Sequence, residues 1–122
     1  MKVAEMLAAA GALLDEPIED TETVWPLGAA VLTRQAIETT VDIYWSSTVK
    51  AMLDASRKEQ WLALPAYLGR APELPAAEYA WSALSDACHH RDYDVGLTEA
   101  ELRDHLSTAR AFAKVVAAKL KP

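Results

Sequence analysis

The stretch TEAELRDHLSTARAFAKVVAAKL, Thr98 to Leu120, decides the fold. Thr98 followed three residues later by Glu101 has the form of a capping box, in which the hydroxyl accepts a first-turn amide hydrogen and the glutamate reaches back to the cap's own amide. Behind it, Leu102, Leu106, Ala109, Ala113, Val116 and Leu120 recur at i, i+3/i+4 spacing, the signature of a helix with one apolar stripe. Such a helix is stable only against partners, and the rest of the chain predicts what they are.

They are helices. The 122 residues contain only four glycines and no Asn-Gly or Asp-Gly pair of the kind that closes hairpins, while alanine and leucine are abundant. Reading toward the N-terminus, Pro75 opens a helix through Tyr79, Trp81, Ala83, Leu84, Ala87 and Cys88, joined to the last one by a short connection, Asp92 to Leu97. Ser56-Arg57-Lys58-Glu59 is a second capping box, starting a helix that carries Trp61, Leu62, Leu64 and Leu68, is strained by Pro65 and stops at Gly69. Pro26 suits the first position of a helix reaching Trp45, with Leu27, Ala30, Val31, Arg34, Ile37, Val41 and Tyr44 or Trp45 at helical spacing. Val49 to Ala55 is then a further turn or a loop. The first helix covers Val3 to Leu14, with Val3, Met6, Leu7, Ala10 and Leu14 on one side, and the acidic segment Asp15 to Thr23 follows as a loop. The expected product is an all-α protein, an antiparallel bundle of four or five helices forming a single domain over residues 1–122.

Composition narrows the function classes. Twelve basic against eighteen acidic side chains give a net charge of −6, which repels phosphate backbones at long range and argues against promiscuous nucleic-acid binding. The opening MKVAEMLAAAGALLDEPIED is interrupted by Glu5 and reads as an amphipathic helix, not an export signal. With one cysteine and no run of roughly 20 apolar residues, the expectation is a cytoplasmic protein without a membrane partner.

Chemistry is concentrated in SALSDACHHRDYD, Ser82 to Asp94. A metal centre of Cys88, His89, His90 and the aspartates is disfavoured, because successive helical residues point about 100° apart, so Cys88, His89 and His90 diverge, while Asp86 and His90 at i, i+4 share a face and would form only half a site. No metal and no cofactor is therefore expected. The ordinary reading makes Cys88 a small apolar residue and sets a histidine against the unpaired carbonyls of the helix end. Asp86 would pair with His90 or Arg91. On the last helix Arg103, Arg110, Lys114 and Lys121 fall within about 40° of one another, forming a basic stripe that is either a solvated flank or an RNA track. Trp45, Trp61 and Trp81 occupy apolar helical positions, as core or as a dimer interface.

The run WSALSDACHHRDYD followed by the capped helix TEAELR resembles the C-terminal half of the HEPN family, the higher eukaryote and prokaryote nucleotide-binding domains, including small actinobacterial proteins with an Ala-Cys-His-His run. The resemblance implies a helical bundle, commonly a homodimer, working in toxin-antitoxin, antiphage or RNA-processing settings. Many members are metal-independent ribonucleases in which a histidine acts as acid or base and an arginine, separated from it by four to six intervening residues, stabilises the phosphorane. Here Asp86 stands about where that arginine belongs, and Arg91 follows the histidines. The expectation is thus a catalytically degenerate interaction or regulatory module, homodimeric, with a protein partner and RNA as further possibilities. The alternative is a ribonuclease with His89, His90 and Arg91 as catalytic candidates, Arg103 or Arg70 being the other arginines that could approach. Asp86, Tyr93, Arg103 and Trp81 are the candidate binding residues, Trp81 and Tyr93 also lining a small-molecule or nucleotide pocket in a third reading.

Overall fold

A computed structural model of the chain describes residues 1–16, 25–89 and 96–122. Among these residues there are five α-helices and no strand: α1 (Val3–Asp15), α2 (Trp25–Ser47), α3 (Arg57–Leu68), α4 (Glu73–His89) and α5 (Glu99–Leu120), with a 3-10 turn over Lys50–Asp54 between α2 and α3.

Both predicted capping boxes form. Ser56 Oγ accepts from the Glu59 amide at 3.1 Å while Glu59 accepts from the Ser56 amide at 3.3 Å, and Thr98 with Glu101 repeats the arrangement at 3.1 and 3.0 Å. These hydrogen bonds to the ionised carboxyls hold Glu59 and Glu101 below the usual carboxylate range. Glu5 serves α1 in the same way, accepting from the Lys2 amide at 3.2 Å. Gly69 ends α3 with φ of 85°, a left-handed conformation that side chains rarely tolerate.

Two helix starts differ from the proline-based expectation. α2 begins at Trp25, one residue before Pro26, and α4 at Glu73, two before Pro75. A proline is accommodated anywhere in the first turn, because none of the first amides has an intrahelical acceptor to lose. The turn or loop expected after α2 is the 3-10 turn. It closes on the buried Gln60 of α3, whose Nε2 donates to the carbonyls of Met52 and Ala55 at 2.9 and 3.1 Å. Most of the loop expected at Asp15 to Thr23 lies outside the described residues, though Asp15 itself completes α1.

The helices pack antiparallel along the chain. Met6 meets Thr39 and Leu13 meets Gly28, which orients α1 against α2. Asp15 meets Arg103 and Gly11 meets Arg110, which orients α1 against α5. One hydrophobic cluster joins all five helices, with Leu14, Ile37, Trp45, Leu64, Leu84, Leu102 and Phe112 among its most fully buried members. The predicted α5 stripe supplies Leu102, Leu106, Ala109 and Val116 to that cluster. Thr33 and Thr40, buried on α2, return their hydroxyls to the carbonyls four residues back at 2.8 and 2.7 Å, so neither hydroxyl is stranded in the core.

Candidate functional site

The C-terminal turns of α4 display the polar stretch singled out by the sequence. Leu84 and Ala87 face the core, so helical geometry turns Asp86 and His89 to solvent and leaves Cys88 half-buried at the flank. Burial pushes the Cys88 thiol up; Arg34 opposes that shift and Glu38 adds to it. A thiol held protonated is a weak nucleophile and a weak ligand. His90, Arg91 and Tyr93, with Asp92 and Asp94, lie outside the described residues. Among the described residues no group of three histidine, cysteine or carboxylate side chains is placed to hold a metal ion.

Beside Cys88, α2, α3 and α4 share a polar cluster. Glu38 is its hub: one carboxylate oxygen accepts from Trp81 Nε1 at 3.3 Å and lies 3.5 Å from Arg34 Nε, while the other lies 3.4 Å from Arg57 Nη2. The Arg34 contact is an ion pair without hydrogen-bond geometry, since its Nε has no acceptor among the described residues. Arg57 also donates to Asp42 at 2.8 Å and to Gln60 Oε1 at 2.9 Å. Trp81 therefore has a partly polar role: its ring packs toward Trp61, centroids 6.1 Å apart, and its N–H anchors Glu38. Two cations and two carboxylates are matched here, which leaves the cluster close to neutral.

Arg103 is engaged elsewhere. Its guanidinium bridges from α5 to the end of α1, donating to Asp15 at 2.7 Å, the Leu14 carbonyl at 2.9 Å and Glu99 at 3.1 Å. The Leu14 contact satisfies one of the last carbonyls of α1, and the two carboxylates hold Arg103 firmly protonated. Arg103 thus fastens the bundle. Arg110 and Lys114, the next members of the basic stripe, are exposed and border a groove between α1, α2 and α5.

His105 is the one histidine in a distinct built environment among the described residues. It is buried on α5 against Tyr79 of α4, ring centroids 6.0 Å apart, with Glu101 and Asp104 nearby. Burial lowers its pKa, and the two carboxylates work against that shift. Sequence reading passed over both His105 and the Glu38 hub. The available signal was the i, i+4, i+8 series Arg34, Glu38, Asp42, which Arg34's place in the apolar stripe concealed.

No family model, curated protein or solved structure matches the chain. No helix among the described residues is long and apolar enough to cross a membrane.

Proposed function

We propose that this chain is a HEPN-like helical module that acts by interaction or regulation in a toxin-antitoxin or defence-like setting, as a cytoplasmic homodimer without ribonuclease activity of its own. The observation that carries this reading is that Arg34 of α2, Arg57 at the start of α3 and Arg103 near the start of α5 are each engaged with carboxylates. Arg34 and Arg57 are matched with Glu38 and Asp42, and Arg103 with Asp15 and Glu99. A phosphorane needs an arginine whose charge is not already neutralised, because its stabilisation depends on uncompensated positive charge aimed at the developing oxyanion. Asp86, exposed one turn before the histidines, adds negative charge where a phosphate would approach.

The alternative is a metal-independent ribonuclease using His89 or His90 with Arg91, and the solvent exposure of His89 on the last turn of α4 favours it. Incubating the full chain with single-stranded RNA in EDTA decides between the two. The expected result is intact RNA and a sedimenting species of twice the chain mass. Cleavage that disappears in the double variant His89→Ala, His90→Ala, with helicity retained, would overturn the noncatalytic reading.

A further inference from the structure

Between α1, α2 and α5 the bundle leaves a groove of about 390 Å³. Its walls are aliphatic, with Val3 and Leu7 from α1, Ile43 from α2 and Leu120 from α5, and its floor along α5 carries the small side chains of Ala113 and Ala117. From Arg110 to Leu120 the groove follows ten residues of α5, roughly 15 Å at the helical rise. That volume falls in the ~300–1,000 Å³ range of small-molecule sites, which are lined mostly by apolar groups with a few polar ones to fix orientation.

The charged groups are cations toward the Arg110 end, and the hydroxyl of Thr40, the other polar lining group, is spent on the Ala36 carbonyl. Arg110 and Lys114, one turn apart, line the groove, and neither has an ion-pair partner among the described residues. Arg34, Arg57 and Arg103 are each matched by carboxylates, in a chain with six more acidic than basic residues. Carboxylates are therefore plentiful, yet among the described residues none meets these two cations. Arg110 also lies close to α1. A Cβ at residue 11 would lie 2.8 Å from Arg110 Nη2, so Gly11 leaves room for the guanidinium against α1, and a side chain there would move its flexible end.

The geometry points to a binding site for a free fatty carboxylate, its head between Arg110 and Lys114 and its alkyl chain laid along Ala113 and Ala117 toward Leu120. Charge complementarity selects an anion, the aliphatic walls select an alkyl body, and the one-ended placement of the cations selects a molecule with a single charged head. A helix from a partner is about 10 Å across and would occupy on the order of 1,000 Å³ over the same length, so it would sit on this groove and not in it.

The test uses the full chain titrated with sodium decanoate, 1-decanol and decyltrimethylammonium below their aggregation concentrations. Calorimetry and amide chemical shifts are the readouts. Decanoate is expected to bind one per chain, with shifts confined to α1, α5 and the Thr40–Ile43 turn of α2, and with decanol weaker and the ammonium weakest. Arg110→Glu with Lys114→Glu lowers decanoate affinity about tenfold or more while changing decanol binding little, each exposed pair being worth a few-fold. Gly11→Ala displaces the Arg110 guanidinium without altering charge and gives a smaller loss, about two- to fivefold, with no loss of thermal stability because alanine is the better helix former. Ala117→Trp fills the groove and abolishes binding of decanoate and decanol alike, with the circular dichroism of the helices unchanged. Equal affinity for the three head groups, binding that survives Ala117→Trp, or shifts that map to another face would each overturn the proposal. So would a chain that binds none of the probes and shows a concentration-dependent dimer with these groove residues protected, since the occupant would then be a second copy.

Discussion

α2 has two working sides, and they handle charge in opposite ways. Toward α3 and α4 it presents Arg34, Glu38 and Asp42, which with Arg57, Gln60 and Trp81 form a compensated network. Toward α1 and α5 it presents Thr40 and Ile43 to a groove whose cations, Arg110 and Lys114, have no carboxylate against them among the described residues. Half-buried charge is expensive unless paired, so the first side is a structural solution to burial. Exposed charge costs little to leave unpaired, so the second side retains positive charge that a ligand can use. Pairing thus separates the arginines that hold the bundle from the one that lines the groove.

The comparison can be broken from its largest effect downward. Phe112, fully buried, packs against Trp61 at a centroid distance of 5.6 Å and supports the inner wall beneath the polar side. Phe112→Ala is expected to cost about 3–5 kcal/mol, read as a fall in urea midpoint at constant slope. A cost under about 1 kcal/mol would mean that the α3–α5 packing does not support the bundle. Glu38→Ala strips the hub from Trp81, Arg34 and Arg57 together. Because Glu38 is about one-third exposed, the expected loss is discounted for solvent to about 1–2 kcal/mol, and Glu38→Gln, which keeps an acceptor for Trp81, loses about half of that. If Glu38→Ala proved neutral, the network would be a surface arrangement and the contrast between the two sides of α2 would collapse.

The smallest expected effect concerns His105, whose folded pKa lies below its ordinary 6.5. The unfolded chain then binds a proton more readily than the folded one. Stability is therefore full above about pH 6.5 and falls as pH drops through that value toward the lowered folded pKa. Thermal midpoints of the wild type should decline across this window, and His105→Gln should flatten the decline. The loss attributable to Glu59 and Glu101 belongs to a separate window, below their ordinary 4.5, because their lowered pKa values make protonation destabilising only there. An unchanged slope near pH 6 in His105→Gln would assign the acid response to other groups.

Much of the backbone was legible because its signals are local. Ser56 and Thr98 each reach only three residues ahead, and Gly69 needs only its own φ, so composition at four positions is enough to predict a boundary. Proline is a looser signal, since any first-turn position accommodates it, and the starts of α2 and α4 moved by one and two residues for that reason. The 3-10 turn at Lys50–Asp54 depends on Gln60 bonding back across eight and five residues, a tertiary contact that hydrophobic periodicity does not carry.

The candidate site was legible in part. Of SALSDACHHRDYD, the described residues Ser82 to His89 lie at the end of α4, where the sequence places them, and the structure adds that Asp86 and His89 are in solvent and that Cys88, expected to be buried, is half-buried at the flank. Arg34 was read as part of the apolar stripe, because a long side chain buries its methylenes at the same 3.6-residue rhythm as an aliphatic one while its head finds a partner elsewhere.

The amino-acid sequence by itself determined that this chain is a bundle of capped helices and which stripe of the last helix faces inward. Only the tertiary structure decided which cations are spoken for: that Arg103 closes α1 onto α5, that Glu38 gathers Arg34, Arg57 and Trp81, and that Arg110 rests over Gly11 beside an open groove. Capping and amphipathicity act over three or four residues and can be read along the chain. Charge pairing acts through space over a few ångströms, between residues as far apart as 15 and 103.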